Sequence, residues 1–89
     1  MTSVPIPAVD PQQAGDDSAA FLSALGRRVR EGRERRGPSR KALSQEARVS
    51  ERYLAQLEAG EGNVSIVLLR RVASALGATL PDLLGDNAP

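Results

Sequence analysis

Apolar positions along this chain recur at intervals of three and four, the spacing that places side chains on one face of a helix. Phe21, Leu22, Leu25 and Val29 form the first such set. It opens near Ser18 and runs through a charged stretch to Arg36, where Gly37-Pro38 stops it. Gly suits the left-handed position after a helix, and Pro cannot continue one. Asp17 or Ser18 is placed to cap its start. Gly32, inside the segment, weakens it by about 1 kcal/mol relative to Ala, and close packing is the expected reason for its presence.

Further along, Ser39 is a candidate N-cap for a second helix, Arg40 to Ala47, with Leu43 and Ala47 facing inward. Ser50 caps a third, Glu51 to Ala59, which Gly60 ends. "GEGN" reads as a loop. Ser65 then caps a fourth helix carrying Ile66, Leu69, Val72, Ala73 and Leu76, closed by Gly77. Thr79 with Asp82 three residues on makes a capping box for a last short helix holding Leu80, Leu83 and Leu84. No alternating β-branched run interrupts the series, so the fold class is all-α with five helices. Residues 1–17, with three prolines and a glycine, read as a disordered tail. Residues 18–85 form the domain, and residues 86–89 a C-terminal tail or the start of a linker.

The second and third helices are too short to stand alone in water, where roughly 12–15 residues are needed. Only Arg48-Val49-Ser50 separates them. Leu43, Ala47, Val49, Leu54 and Leu57 fall on the inner side, with small Ser44 where the two would cross closely. Such a unit lets the first helix brace the second so that the second projects. On the projecting helix, Leu54 and Leu57 point inward with Glu58 beside them. Arg52 and Gln56 lie nearly opposite, flanked by Ala55 and Ala59, with Glu51 near the start. One cation, one amide and small neighbours suit the DNA major groove, where Arg reaches guanine and Gln reaches adenine. An ordinary solvated helix face is the competing reading.

Charge alone leaves the two readings even, and the bracing helix and tight turn inside a basic segment favour the first. All 12 Lys and Arg residues lie between Arg27 and Arg71, against six acids in that window, an excess of six. The remaining acids (Asp10, Asp16, Asp17, Asp82, Asp86) sit outside it. A basic middle points to a polyanionic partner. The chain has 89 residues, no cysteine and no histidine, which removes disulfides and His- or Cys-based metal and nucleophile chemistry. No nucleophile–base pair or phosphate-binding loop is discernible, so an enzyme is not expected, nor a cofactor or a metal. Without an apolar run of membrane length or a signal-peptide layout, a cytoplasmic protein is expected.

The segment "LGRRVREGRERRGPSRKALSQEARVSERYLAQLEAGEGNVSIVLLRRVASALGATLPDLL" resembles the Cro/C1-type (XRE) helix-turn-helix domain of bacterial and phage repressors, over about residues 25–84. The resemblance implies a five-helix lambda-repressor-like fold and a sequence-specific DNA-binding transcriptional regulator, most often a repressor. It puts Glu51, Arg52 and Gln56 at base-reading positions. Arg40 stands where the family usually has a phosphate-touching Gln, Lys41 is beside it, and Tyr53 and Asn63 fall at backbone-contact positions. Glu58 matches an acid that pairs, in related repressors, with an arginine of the first helix, here Arg33; its place beside the apolar face also calls for a partner. Members bind near-palindromic operators as homodimers, with half-sites about one helical turn apart, and Leu80, Leu83 and Leu84 are candidates for a dimer contact.

"VSERYLAQLEAGEGNVSIVLLRRVA" further resembles the N-terminal module of regulators that add a shikimate-kinase-like domain sensing benzoyl-CoA, which implies an effector-binding domain outside this chain and control of aromatic-acid catabolism. Two positions depart from the family pattern. Arg48 occupies the tight turn where Gly is usual, and Gly32 replaces a large apolar residue. A protein-interaction module, such as an antitoxin, is the alternative function for the same fold.

Overall fold

In the computed structural model, backbone is described for residues 11–85 and side chains for residues 18–85. Five α-helices follow in order: α1 Pro11–Arg36, α2 Arg40–Ala47, α3 Glu51–Glu58, α4 Ile66–Ala75 and α5 Leu80–Leu84. No strand occurs among the described residues.

The interior boundaries follow local chemistry. Ser39 Oγ accepts from Ala42 N at 3.1 Å, Ser50 Oγ from Tyr53 N at 2.9 Å and Ser65 Oγ from Leu68 N at 3.4 Å. Each hydroxyl satisfies one of the donors that a helix start leaves unpaired. Thr79 and Asp82 complete a reciprocal capping box, with bonds of 3.2 and 2.8 Å. At the far end of α1, Gly37 is left-handed at φ 97° and donates to Arg33 O.

The start of α1 differs from the expected boundary. The helix begins at Pro11, so residues 11–17 are helical and Asp17 and Ser18 are interior positions, not caps. Pro fits the first helical position because its missing N–H would have had no partner there. The tail expected over residues 1–10 and the one over 86–89 lie outside the described residues.

The core is aliphatic. Leu25 and Val29 from α1, Leu43 and Ala47 from α2, Leu54 and Leu57 from α3, Leu69, Val72 and Ala73 from α4, and Leu83 from α5 are all buried. Helix α1 packs against α3 and α5, and α2 packs against α3 and α4. Ser44 on α2 is buried, with its hydroxyl donating to Lys41 O at 2.8 Å. That internal bond lets a small polar residue sit there without an unpaired donor.

Three expectations about this core are corrected. Phe21 and Ile66 stand in solvent, 45% and 56% exposed, although their spacing matched their helices' inner faces. Leu22 takes the inward place beside Phe21, packing against the core. Gly32 is not there for close packing: a Cβ at that position would meet Leu76 Cδ1 at 3.5 Å, an ordinary contact. The α1 glycine that packs tightly is Gly26, where an added Cβ would stand 2.7 Å from Glu58 O. Leu83 is buried, and Leu80 and Leu84 lie against the same core. Leu83 therefore serves the interior of this domain, while Leu80 and Leu84 remain half-buried at its edge.

Candidate nucleic-acid interface

The turn between α2 and α3 sets the direction in which α3 leaves the body. Arg48 adopts the left-handed conformation, φ 59° and ψ 45°, and is the single non-Gly residue with positive φ among the described residues. An L residue there is strained by about 1–2 kcal/mol. The turn holds nonetheless, through Val49 N donating to Ser44 O at 3.0 Å and Arg48 N to Gln45 O at 3.3 Å. Arg71 Nη1 also donates to Arg48 O at 3.2 Å, tying the turn to α4. The half-buried Val49 closes the turn against the core.

Beyond this turn, Leu54 and Leu57 anchor α3 inward. Glu51, Arg52 and Gln56 are exposed, as is Ala59, while Ala55 is half-buried. Each of the three candidate base-reading residues is thus accessible to solvent. The backbone of the α3–α4 loop runs beside Gln56: Glu61 N donates to Gln56 O at 2.9 Å, and a Cβ at Gly62 would lie 3.3 Å from Gln56 Oε1. Gly62, at φ 79°, leaves the amide its room. Asn63 is exposed on the same loop, and Lys41 is exposed on α2.

Tyr53 is placed differently from the backbone-contact role that the resemblance implied. Its phenolic oxygen is buried and has no hydrogen-bond partner. It packs beside the core, and burial pushes its pKa above the ordinary phenol value. A hydroxyl so enclosed is not offered to a phosphate.

Glu58 and Arg33 form a bidentate pair, with Arg33 Nε 2.7 Å from Glu58 Oε2 and Nη2 3.0 Å from Oε1. The two side chains are 14% and 5% exposed, Arg33 and Glu58 respectively. The hydrogen bond to Glu58 raises the Arg33 pKa above its ordinary value, against a smaller opposing effect of burial. Arg33 Nη1 also reaches Pro38 O at 3.3 Å. Arg40 brings its Nε to 3.6 Å from Glu58 Oε1, so the carboxylate serves α2 as well. The Arg40–Glu58 and Arg71–Arg48 contacts had no signal in the sequence, because neither pair sits at a helical spacing.

None of the helices is long and apolar enough to cross a membrane, among the described residues. A profile of the helix-turn-helix domain family matches residues 24–84. The chain is 42% identical over 60 residues to the HTH-type transcriptional regulator DdrOP3 of Deinococcus deserti, a match spanning 67% of this chain and 46% of the relative. It therefore spans about half the length of that relative. The crystal structure of the clp gene regulator ClgR from Corynebacterium glutamicum is similar at TM-score 0.69 and 39% identity, over 74% of this chain and 85% of that one. The restriction-modification controller protein C.AhdI from Aeromonas hydrophila is similar at TM-score 0.69 and 33% identity, over 72% and 97%. With the profile match covering more than half its length and five helices that include a tight α2–α3 turn, this chain belongs to the helix-turn-helix domain family and is of the XRE-like kind.

Proposed function

We propose that the chain binds double-stranded DNA in a sequence-specific manner as the DNA-binding part of a transcriptional regulator. The observation that carries this reading is the exposure of Glu51, Arg52 and Gln56 together on a helix whose opposite face is anchored by Leu54 and Leu57. Such a helix enters a major groove, where Arg52 donates to guanine O6 and N7 and Gln56 pairs with adenine N6 and N7. Glu51 accepts from cytosine N4. Arg40, Lys41 and Asn63 contact the sugar–phosphate backbone and fix the register. The names of DdrOP3, ClgR and C.AhdI, each a regulator or controller, support the same reading.

Repression through a near-palindromic operator, bound by a homodimer, is the form of regulation that the family resemblance favours. Leu83 is buried and so offers no dimer contact; the exposed large apolar side chains among the described residues are Phe21, Ile66 and Val67. Control of aromatic-acid catabolism rests on the likeness of residues 49–73 alone.

Selection of bound sites from random duplex DNA, read at two salt concentrations, tests the function. A defined consensus with symmetric halves is the expected outcome. Enrichment of no sequence at either salt concentration would remove the specific-binding reading.

A further inference from the structure

The Glu58 carboxylate joins more of this domain than an isolated ion pair does. Its two oxygens accept from Arg33 on α1, whose guanidinium also reaches the carbonyl of Pro38 in the α1–α2 turn. The same Oε1 lies 3.6 Å from Arg40 Nε at the first residue of α2. Glu58 itself is the last residue of α3. Three helices and one turn therefore converge on a side chain that is only 5% exposed.

Arg40 is the unusual member. A cation at the first position of a helix faces the positive end of the helix dipole, which disfavours it. A nearby anion offsets that repulsion, and Glu58 is the anion present. Arg40 remains 49% exposed, and its guanidinium meets the Glu58 carboxylate at 3.6 Å, an ion-pair distance and not a hydrogen bond. Glu58 thus orients the guanidinium by charge while about half of the side chain stays open to solvent. The planar guanidinium is the group that grips a phosphate in bidentate fashion.

We propose that Glu58 is a positioning residue for the phosphate contact of Arg40, linking that contact to the C-terminal end of α3. Arg33 keeps the carboxylate in place, Glu58 aims Arg40, and a phosphate bound by Arg40 fixes α2 and α3 together. This inference rests on the DNA-binding reading above.

A double-mutant cycle on duplex DNA of fixed sequence tests it, with affinity followed over a range of salt concentrations. Arg40→Gln is expected to weaken binding and to lower the salt slope by about one. In a Glu58→Gln background the same substitution should lose at least about half of that effect, since the two residues act as a unit. An undiminished or larger effect of Arg40→Gln in that background would overturn the proposal, because Glu58 would then be competing for Arg40 and not aiming it. Should Glu58→Gln prevent folding, Arg40→Lys answers the question independently. Lysine keeps the charge but lacks the planar fork that Glu58 orients, so its affinity should fall most of the way to that of Arg40→Gln. An Arg40→Lys protein that binds like the wild type would overturn the proposal. Lys41→Ala separates the two levels of the argument. A lower salt slope for Lys41→Ala beside an additive Arg40–Glu58 cycle rejects the positioning role alone, whereas a wild-type chain that binds no duplex rejects both.

Discussion

A Cβ at Gly26 would stand 2.7 Å from the carbonyl oxygen of Glu58. Helix α1 thus touches the C-terminal end of α3 through a position with no side chain. The neighbouring Gly60 repeats the contact from the other side, where a Cβ would lie 3.0 Å from Ser23 Cα. The seat of the projecting helix is a backbone-to-backbone approach.

Gly26→Ala should therefore lower stability by about 1–3 kcal/mol, the usual penalty for forcing a methyl group into packed structure. The added helix propensity of Ala, about 1 kcal/mol, works in the opposite direction but cannot relieve contact with backbone atoms. Gly32→Ala, six residues along the same helix, should raise stability by about 0.5–1 kcal/mol, because its Cβ would meet Leu76 at an ordinary distance. Urea denaturation of the two variants beside the wild type checks both signs. Equal effects would mean that α1 is not seated on α3 at Gly26.

Arg48→Gly is expected to stabilise the domain. Relief of the left-handed strain of about 1–2 kcal/mol exceeds the roughly 0.5–1 kcal/mol of additional unfolded-state freedom that Gly brings. A net gain near 0.5–1 kcal/mol should appear as a higher urea midpoint. The variant keeps the Arg48 carbonyl, so Arg71 retains its acceptor.

Tyr53→Phe removes a buried hydroxyl that has no hydrogen-bond partner. Stability should hold or rise by up to about 1 kcal/mol, since an unsatisfied buried group is itself destabilising. Affinity for DNA should be unchanged, which a phosphate contact by the hydroxyl would not allow. The pH dependence has a definite sign. Burial raises the folded phenol's pKa, while the unfolded phenol ionises near its ordinary value of about 10. Above that value the unfolded chain has released a proton that the folded chain keeps, so stability falls as pH rises toward the folded pKa. Melting curves across the alkaline range should show this decline in the wild type and a shallower one in Tyr53→Phe.

Arg52→Ala and Lys41→Ala should separate specificity from general affinity. Loss of Arg52 should weaken the selected site by about 1–3 kcal/mol and relax preference at one base pair. Loss of Lys41 should weaken all sequences alike and reduce the salt slope by about one. Competition binding with matched and scrambled duplexes reads the difference. An unchanged preference in Arg52→Ala would show that α3 does not read bases through this residue.

What the sequence determined by itself is the part of this protein governed by contacts within a turn or two of chain. Ser39, Ser50, Ser65 and the Thr79–Asp82 box marked the starts of α2 to α5, and each acts through a bond spanning three residues. Gly37 and Gly77, both left-handed, marked ends for the same local reason. The turnover from Leu54 and Leu57 inside to Arg52 and Gln56 outside also followed from helical spacing. Tertiary structure decided what depends on how the helices cross. It left Phe21 and Ile66 in solvent, chose Gly26 over Gly32 for the close approach, enclosed the Tyr53 hydroxyl and brought Arg40 to a carboxylate eighteen positions away. Periodicity gives each helix a face but not the angle or height at which its neighbour meets it, and those two quantities settle which side chains are covered and which charges meet.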